Sequence, residues 1–191
     1  MFCRGRGGRV ARLRQKGVCL KVLRRYCAGK DKRGSRSSMH GLSIRPAQSE
    51  DLPHLVALFA SDQLGGHGDT TDPAVFPAYE AAFAAIDASG EETLYVAERE
   101  GRVVGTFQLG IRRSLPHRGT IKAVLEAVQV APDLRGGGIG AQMVRFAIEE
   151  ARRAGANAIS LTSNAARTDA HRFYERLGFT RSHAGFKLFL E

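Results

Sequence analysis

Residues 129–140 read Gln-Val-Ala-Pro-Asp-Leu-Arg-Gly-Gly-Gly-Ile-Gly, and this stretch determines how the rest of the chain is interpreted. An apolar, strand-like run from 123 to 130 leads into a short loop that contains Pro132. The loop ends in Arg135 and four glycines, and apolar residues at three- and four-residue spacing from Ile139 onward predict a helix. The sequence therefore predicts a strand, a glycine loop and a helix in direct succession.

This succession is typical of an anion-binding site. Glycines let a ligand approach the backbone closely, and the first N–H groups of a helix have no partner within the helix. The helix dipole adds partial positive charge at that end, and Arg135 adds a full one. We therefore predict that a phosphate or pyrophosphate binds to this loop.

Three other interpretations of the loop fit less well. A glycine-rich turn without a ligand would carry the conformational entropy cost of four glycines for no gain. A nucleoside triphosphate loop needs Lys-Ser or Lys-Thr after its last glycine, and neither follows here. Residues 136–141 fit Gly-x-Gly-x-x-Ala, but a dinucleotide site places that motif after the first strand of its domain and ends the next strand with an acid. Here the loop comes late, and the next predicted strand, 158–162, leads to Ser163 and Asn164.

Two motifs resemble the GNAT acetyltransferase superfamily. The pattern Arg-x-x-Gly-x-Gly at 135–140, after a strand ending in Val130, is similar to its acyl-coenzyme A signature. The run Phe-Tyr-Glu-Arg-Leu-Gly-Phe at 173–179 is similar to its second motif. The resemblance covers about residues 41–191, and the stretch 168–183 is also similar to the aminoalkylphosphonate acetyltransferase branch.

The resemblance implies that acetyl-coenzyme A is the cosubstrate. The residues that it places against the cofactor come from the strand, the glycine loop, the start of the helix and the end of the next strand: Val128, Val130, Arg135, Gly136, Gly137, Gly138, Ile139, Gly140 and Asn164. The backbone N–H of Val130 is implied to hold the acetyl carbonyl oxygen. Asn164 is implied to contact the cofactor arm, although a plain turn or cap role suits its residue type nearly as well.

Acetyl transfer to a primary amine calls for a base and an acid. The amine has a reference pKa near ~10.4, so only about one molecule in a thousand is nucleophilic at neutral pH, and the leaving thiolate needs a proton. Glu126, in the strand that enters the loop, is the predicted base, and alternation places it on one face with Val128 and Val130. Tyr174 matches the family tyrosine that often lies beside the sulfur and is the predicted acid. A solvent-facing strand acid and a half-buried packing tyrosine remain the alternatives.

The acceptor is expected between the loop that joins the first two helices and the basic connector before the Glu126 strand. These segments and the C-terminal region offer polar side chains: His67, Asp69, Asp72, Tyr79, Arg112, Arg113, His117 and His183. The arginines could bind an anionic group on the acceptor or could be solvated hairpin charges. No histidines and acids have ligand spacing, so we predict no metal site.

The net charge of +10 is concentrated in the first forty residues. Residues 1–40 hold 13 of the 29 Lys and Arg but one of the 19 acidic residues, so the remainder is close to neutral and by itself gives no argument for nucleic-acid binding. All three cysteines also lie there, so disulfides do not build the domain and a reducing, cytoplasmic compartment is expected. No apolar run approaches the length of a membrane span.

We predict two regions, a basic disordered tail over 1–40 and an acetyltransferase domain over 41–191. Three explanations of the tail remain open. The start codon could be over-extended, with Met39 as the true start. The tail could be a basic arm that binds nucleic acid, or an organellar transit peptide.

The pattern along the domain predicts a mixed α/β fold, and the resemblance implies a mostly antiparallel central sheet flanked by four helices. Strands are predicted at 42–45, 94–98, 103–109, 123–130, 158–162, 179–181 and 186–190. The predicted helices begin with caps at Ser49 and Asp72, run from Ile139 to Arg153, and cover 168–177. This is the element order that the resemblance implies.

The expected function is an acetyl-coenzyme A-dependent N-acetyltransferase that acts on the primary amine of a small molecule. Two alternatives stay open: a protein or aminoacyl-RNA N-acetyltransferase whose basic tail binds nucleic acid, and a non-catalytic acyl-coenzyme A sensor. Dimers are common in the superfamily, so a homodimer is also an expectation.

Overall fold

A computed structural model describes residues 41–62 and 68–190, which form a five-stranded sheet with helices packed on its two faces. The strands are β1 (Leu42–Pro46), β2 (Glu92–Arg99), β3 (Arg102–Arg113), β4 (Ile121–Val130) and β5 (Ala158–Ser160). They lie in sequence order, antiparallel from β1 to β4, with β5 parallel to β4. The mixed, mostly antiparallel sheet is as predicted. Residues 1–40 lie outside the described residues, so the division at residue 40 stays a prediction.

Four longer helices accompany the sheet: α1 (Leu52–Ala60), α2 (Phe76–Ala88), α3 (Ile139–Arg153) and α4 (Thr168–Arg176). Short 3-10 turns precede α1 and α3, at Ser49–Asp51 and Pro132–Leu134. Across the described ranges, no helix has both the length and the apolar character needed to cross a membrane.

Each face of the sheet carries its own apolar cluster. The larger cluster lies between the sheet and α3 and includes buried side chains from both, among them Tyr95, Phe107, Leu109, Leu125, Ile139, Met143 and Ala147. On the other face, Leu55 of α1 packs against Leu94 and Val96 of β2. Because side chains alternate along a strand, Leu94 and Val96 point away from the α3 cluster. We refer to the two sides as the α3 face and the α1 face.

A bulge interrupts β4 at Ala127. Its φ of 52° lies in the left-handed region, which residues other than glycine rarely adopt. At this point the register between β3 and β4 shifts, so that Ala127 and Val128 together lie opposite Phe107. The extra residue breaks the alternation of side chains along β4.

The bulge changes which side chains share a face. Glu126 pairs with Gln108 and Gln129 pairs with Thr106, and directly paired residues point to the same side of a sheet. Glu126 and Gln129 therefore both lie on the α1 face, whereas Val130 lies on the α3 face. The prediction that alternation places Glu126 on one face with Val130 is wrong, because it assumed an uninterrupted strand.

The chain after α4 differs from the prediction. Neither predicted strand, at 179–181 or at 186–190, is present, and Phe186 and Leu190 are 97% and 89% exposed. Strand-forming side chains need a neighbouring strand to pack against, and in the described sheet β5 pairs only with β4, over three residues.

Two helices begin later than predicted because a turn precedes each of them. Ser49 lies within the 3-10 turn Ser49–Asp51, in which the Asp51 carboxylate accepts hydrogen bonds from the Gln48 N–H and from Arg45, and α1 starts only at Leu52. The Asp72 carboxylate accepts from the Ala74 N–H, and α2 starts only at Phe76. Short acidic side chains commonly compete in this way with helix starts.

Candidate active site

A gap opens between β4 and β5. The two strands pair only from Lys122 to Val124 of β4 and from Ala158 to Ser160 of β5. Beyond Val124, β4 continues to Val130 with no β5 partner among the described residues. The side of β4 that faces away from β3 is therefore open along this stretch.

The backbone of β4 presents amide groups to this gap. The Ala131 N–H donates to the Val104 carbonyl across the sheet at 2.9 Å. Because N–H groups alternate in direction along a regular strand, the Val130 N–H points away from β3. This predicted cofactor contact on β4 thus has a backbone donor directed at the gap.

The glycine loop and the start of α3 follow β4, as predicted. Gly136 and Gly138 have φ values of 81° and 80°, which explains why glycine stands at each position. The first hydrogen bond of α3 joins the Gln142 N–H to the Gly138 carbonyl. The preceding helical amides therefore have no partner within the helix.

The surroundings of this loop suit an anionic ligand. Residues 135–138 are exposed, whereas the Ile139 side chain is 1% exposed and anchors the helix start in the core. A methyl group at Gly140 would come within 3.4 Å of the Phe173 ring, so α4 packs closely on this turn. Exposed backbone N–H groups at the start of a helix that is anchored in the core are well placed to bind phosphate.

Arg135 lies beside the loop with an exposed side chain. Its Nε donates to the Val130 carbonyl at 3.1 Å. This bond ties the guanidinium to the end of β4. The predicted cation and the predicted amide donors are therefore held within one short segment.

Glu126 is exposed on the α1 face, next to the open stretch of β4. Across the sheet it pairs with Gln108, whose side chain donates to Glu92 at 3.0 Å, and Arg112 lies 3.5 Å from Glu92. These side chains form a polar row on the face opposite α3. A carboxylate in this place can accept a proton from a group that approaches from the α1 side.

Tyr174 is half-buried in α4 between two aromatic rings. The Phe173 and Phe179 rings lie 5.0 Å and 5.7 Å from it in edge-on geometry. Burial raises the pKa of Tyr174, and the positive charge of Arg167 partly opposes that rise. The phenol therefore stays protonated at neutral pH and can serve as a proton donor.

Asn164 organises the loop between β5 and α4. Its side-chain oxygen accepts from the Ala166 N–H at 2.9 Å, and its carbonyl bonds to the His171 ring at 2.9 Å. The turn role that the residue type allows is thus present. A contact to the cofactor arm remains a prediction.

One cluster in this region escaped the sequence patterns. The carboxylate of Asp62, just after α1, accepts from Gln129 at 2.7 Å and from Arg167 at 2.5 Å. Asp62 and Arg167 stand 105 residues apart, so no local motif could have joined them.

The other polar residues predicted for the acceptor are spread over several places. The Tyr79 hydroxyl donates to Asp69 at 3.0 Å, which closes the loop before α2. Arg112 belongs to the polar row described above, and His183 is exposed with its ring against Ser182. His67 lies outside the described residues. The remaining members of the predicted set are exposed: Asp72, Arg113 and His117.

Comparison with known proteins agrees with this geometry. The Acetyltransferase (GNAT) family profile matches residues 55–179. The aminoalkylphosphonate N-acetyltransferase of Salmonella typhimurium is 40% identical over 143 residues, 75% of this chain and 88% of that protein. An L-methionine sulfoximine/L-methionine sulfone acetyltransferase of Pseudomonas paraeruginosa is 33% identical over 72% of this chain and 79% of its own length.

A solved structure has a similar fold at comparable identity. The structure described as a transcriptional regulator from Bacillus halodurans superposes with a TM-score of 0.75 at 36% identity, over 78% of this chain and 99% of that one. The chain belongs to the GNAT acetyltransferase family and is an N-acetyltransferase that uses acetyl-coenzyme A.

Proposed function

We propose that the chain acetylates the primary amine of a small molecule that carries an anionic group. The observation that carries this proposal is the gap beside β4, with amide donors along it, the glycine loop at its end and Glu126 on the α1 face. Both curated relatives described above are named for small acceptors.

The glycine loop and α3 would hold the pyrophosphate of the cofactor. The amides at the start of α3 have no helical partner, and the helix dipole adds positive charge at this end. Arg135 would add a charged donor, and the Val128 and Val130 amides would bind groups further along the cofactor. The cofactor supplies a thioester whose carbonyl carbon accepts the amine.

Glu126 would act as the base. A protonated amine cannot attack a carbonyl, so it must first lose a proton. Glu126 is exposed on the α1 face, while the glycine loop follows β4 toward α3. The acceptor could therefore reach the carboxylate, directly or through water, without displacing the phosphate end of the cofactor.

Tyr174 would return a proton to the sulfur as the thiolate leaves. The half-buried phenol is uncharged at neutral pH. It can therefore donate a proton without having carried a charge before the reaction. Its neighbour Phe173 packs close to Gly140 and hence to the start of α3. Tyr174 therefore lies in a helix that packs against the start of α3, where the cofactor is proposed to bind.

An anionic group on the acceptor would be attracted by cations on the acceptor side. Arg112 belongs to the polar row that includes Glu126, and it is more than half exposed. A guanidinium suits phosphonate and carboxylate groups because it can donate two parallel hydrogen bonds. This supports amines with an acidic end over neutral amines.

The test is thiol release from acetyl-coenzyme A with pairs of amines of equal length. We expect 2-aminoethylphosphonate to show a kcat/KM at least about tenfold above that of ethanolamine, because one charge-assisted hydrogen bond contributes about that factor. Equal values would contradict the anionic requirement. No thiol release with any amine, despite cofactor binding, would instead indicate a sensor.

A further inference from the structure

Asp133 places a negative charge beside the proposed phosphate site. It belongs to the 3-10 turn Pro132–Leu134, two residues before Arg135 and three before Gly136. Because consecutive Cα atoms are ~3.8 Å apart, the Cα atoms of Asp133 and Gly136 are separated by at most about 11 Å. At low ionic strength, charges interact over longer distances than this. An unpaired carboxylate at position 133 would therefore repel a phosphate bound at the glycine loop.

Arg102 pairs with this carboxylate from another element of the fold. It begins β3, 31 residues earlier in the chain, and its two terminal nitrogens donate to the two Asp133 oxygens at 2.8 Å and 3.2 Å. Two parallel bonds of this kind fix the guanidinium against the carboxylate. The hydrogen bond from Arg102 lowers the pKa of Asp133, so the carboxylate is ionised at neutral pH.

The turn that carries Asp133 is also attached to the domain by contacts that do not involve Arg102. The Ala131 N–H donates to the Val104 carbonyl of β3 at 2.9 Å, and Leu134 packs against the cluster on the α3 face. The side chains of Arg102 and Asp133 are 60% and 53% exposed. Since an exposed ion pair adds little to stability, the main consequence of this pair is the charge that it leaves beside the loop.

We propose that Arg102 is a positioning residue for the cofactor site, which acts through Asp133 and raises the affinity for acetyl-coenzyme A by neutralising that carboxylate. The inference rests on the proposed function, in which the glycine loop binds the pyrophosphate. The negative charges of the pyrophosphate would then lie near a neutral ion pair instead of a free carboxylate. Arg102 lies outside both sequence motifs, so no local pattern connects it to the loop.

The experiment is calorimetric titration with acetyl-coenzyme A at about 0.01 M salt, where the screening length is about 30 Å. Arg102→Gln leaves Asp133 unpaired, and we expect it to raise Kd by about threefold or more. Asp133→Asn leaves a free cation beside the loop, so Kd should fall or stay the same. The double variant has the net charge of the wild type and should bind within about twofold of it. Arg102→Lys should do the same, because it keeps the charge.

The opposite signs separate a charge effect from a purely structural link. Either single substitution would break a structural link, so both would weaken binding, and the double variant would not recover. Salt provides a second readout. At about 1 M salt the screening length is about 3 Å, and the effect of Arg102→Gln should fall below about 1.5-fold.

Arg152→Gln is the matched control. Arg152 is an exposed arginine paired with Glu149 in the last turn of α3. It lies about 20 Å along the helix from the glycine loop, given a rise of ~1.5 Å per residue. Because the same change of charge occurs farther from the loop, Kd should change by less than about 1.5-fold at low salt.

Three results would overturn the inference: wild-type affinity in Arg102→Gln at low salt, weaker binding in Asp133→Asn, or a loss of affinity that persists in the double variant or at 1 M salt. Arg135→Ala in the same series tests the proposed function separately. Unchanged affinity in Arg135→Ala would place the phosphate site elsewhere and remove both proposals. Weakened binding in Arg135→Ala with wild-type affinity in Arg102→Gln would overturn the inference alone.

Discussion

At the scale of single residues, Arg135 is the side chain that most directly tests the cofactor site. We expect Arg135→Ala to weaken acetyl-coenzyme A binding by about tenfold to a hundredfold, because a charge-assisted hydrogen bond contributes about 1.5–3 kcal/mol. Isothermal titration calorimetry measures this directly. Arg145→Ala is the matched control, since it removes an equal charge from an exposed position of α3 away from the loop. Unchanged affinity in Arg135→Ala would mean that the phosphate site lies elsewhere.

Residues within one motif could be predicted from the sequence, and residues that meet through the fold could not. Arg135, the glycines and Tyr174 stand in short patterns whose chemistry is local. Asp62 and Arg167 carry no such signal, because they come together only when α1 and the start of α4 are placed on either side of the gap. A long-range ion pair of this kind depends on topology rather than on spacing.

At the scale of elements, the turn from the glycine loop into α3 distinguishes two glycines. Gly138 has a φ of 80°, whereas Gly140 has no positive φ and has room for a methyl group at van der Waals distance. We expect Gly138→Ala to lower the free energy of unfolding by about 1–2 kcal/mol, since it forces alanine into the left-handed region. Gly140→Ala should be neutral or slightly stabilising. Urea unfolding followed by circular dichroism measures both, and equal effects would contradict the backbone argument.

The junction between β1 and α1 predicts a pH dependence of stability. Burial alone would raise the pKa of Asp51, but hydrogen bonds from Arg45 and the Gln48 N–H outweigh burial and lower it. A carboxyl group with a lowered pKa in the folded state stabilises the fold above its unfolded pKa. That contribution disappears as the pH falls through the lowered folded value.

We therefore expect Asp51→Asn to lower the free energy of unfolding by about 2–3 kcal/mol at neutral pH. The difference in the free energy of unfolding between the variant and the wild type should become smaller as the pH falls below the ordinary pKa of an aspartate. Asp169→Asn removes a carboxylate that is 92% exposed in an ion pair with Arg172, and it should change stability little. Urea unfolding at several pH values is the measurement, and a difference that does not depend on pH would contradict the assignment to the ionised carboxylate.

Periodicity located most elements, but local backbone geometry decided their details. The apolar spacing from Ile139 gave the bounds of α3, because that helix has one clearly buried side. The bulge in β4 left no trace in the sequence, since Ala127 is not a residue type that normally favours a positive φ. The two C-terminal strands were predicted from side-chain preference alone, and the described sheet offers them no partner.

In the folded domain, the two faces of the sheet contribute different parts of the proposed active site. The α3 face contributes the start of a helix and a glycine loop, both suited to phosphate. The α1 face contributes Glu126 and a row of polar side chains. The gap beside β4 lies between them, so cofactor and acceptor can approach from different sides and meet at one strand. The bulge produces this division, because it places Glu126 and Val130 on opposite faces.

The role of Glu126 beside β4 is tested by the rate of thiol release from acetyl-coenzyme A with an amine acceptor, compared between the wild type and Glu126→Gln. We expect release by the wild type and about a hundredfold lower kcat in the variant at neutral pH. The deficit should shrink as the pH approaches the amine pKa of about 10.4, where the acceptor needs no base. Equal rates for the two proteins at neutral pH would contradict the claim that β4 brings the thioester and a catalytic carboxylate together.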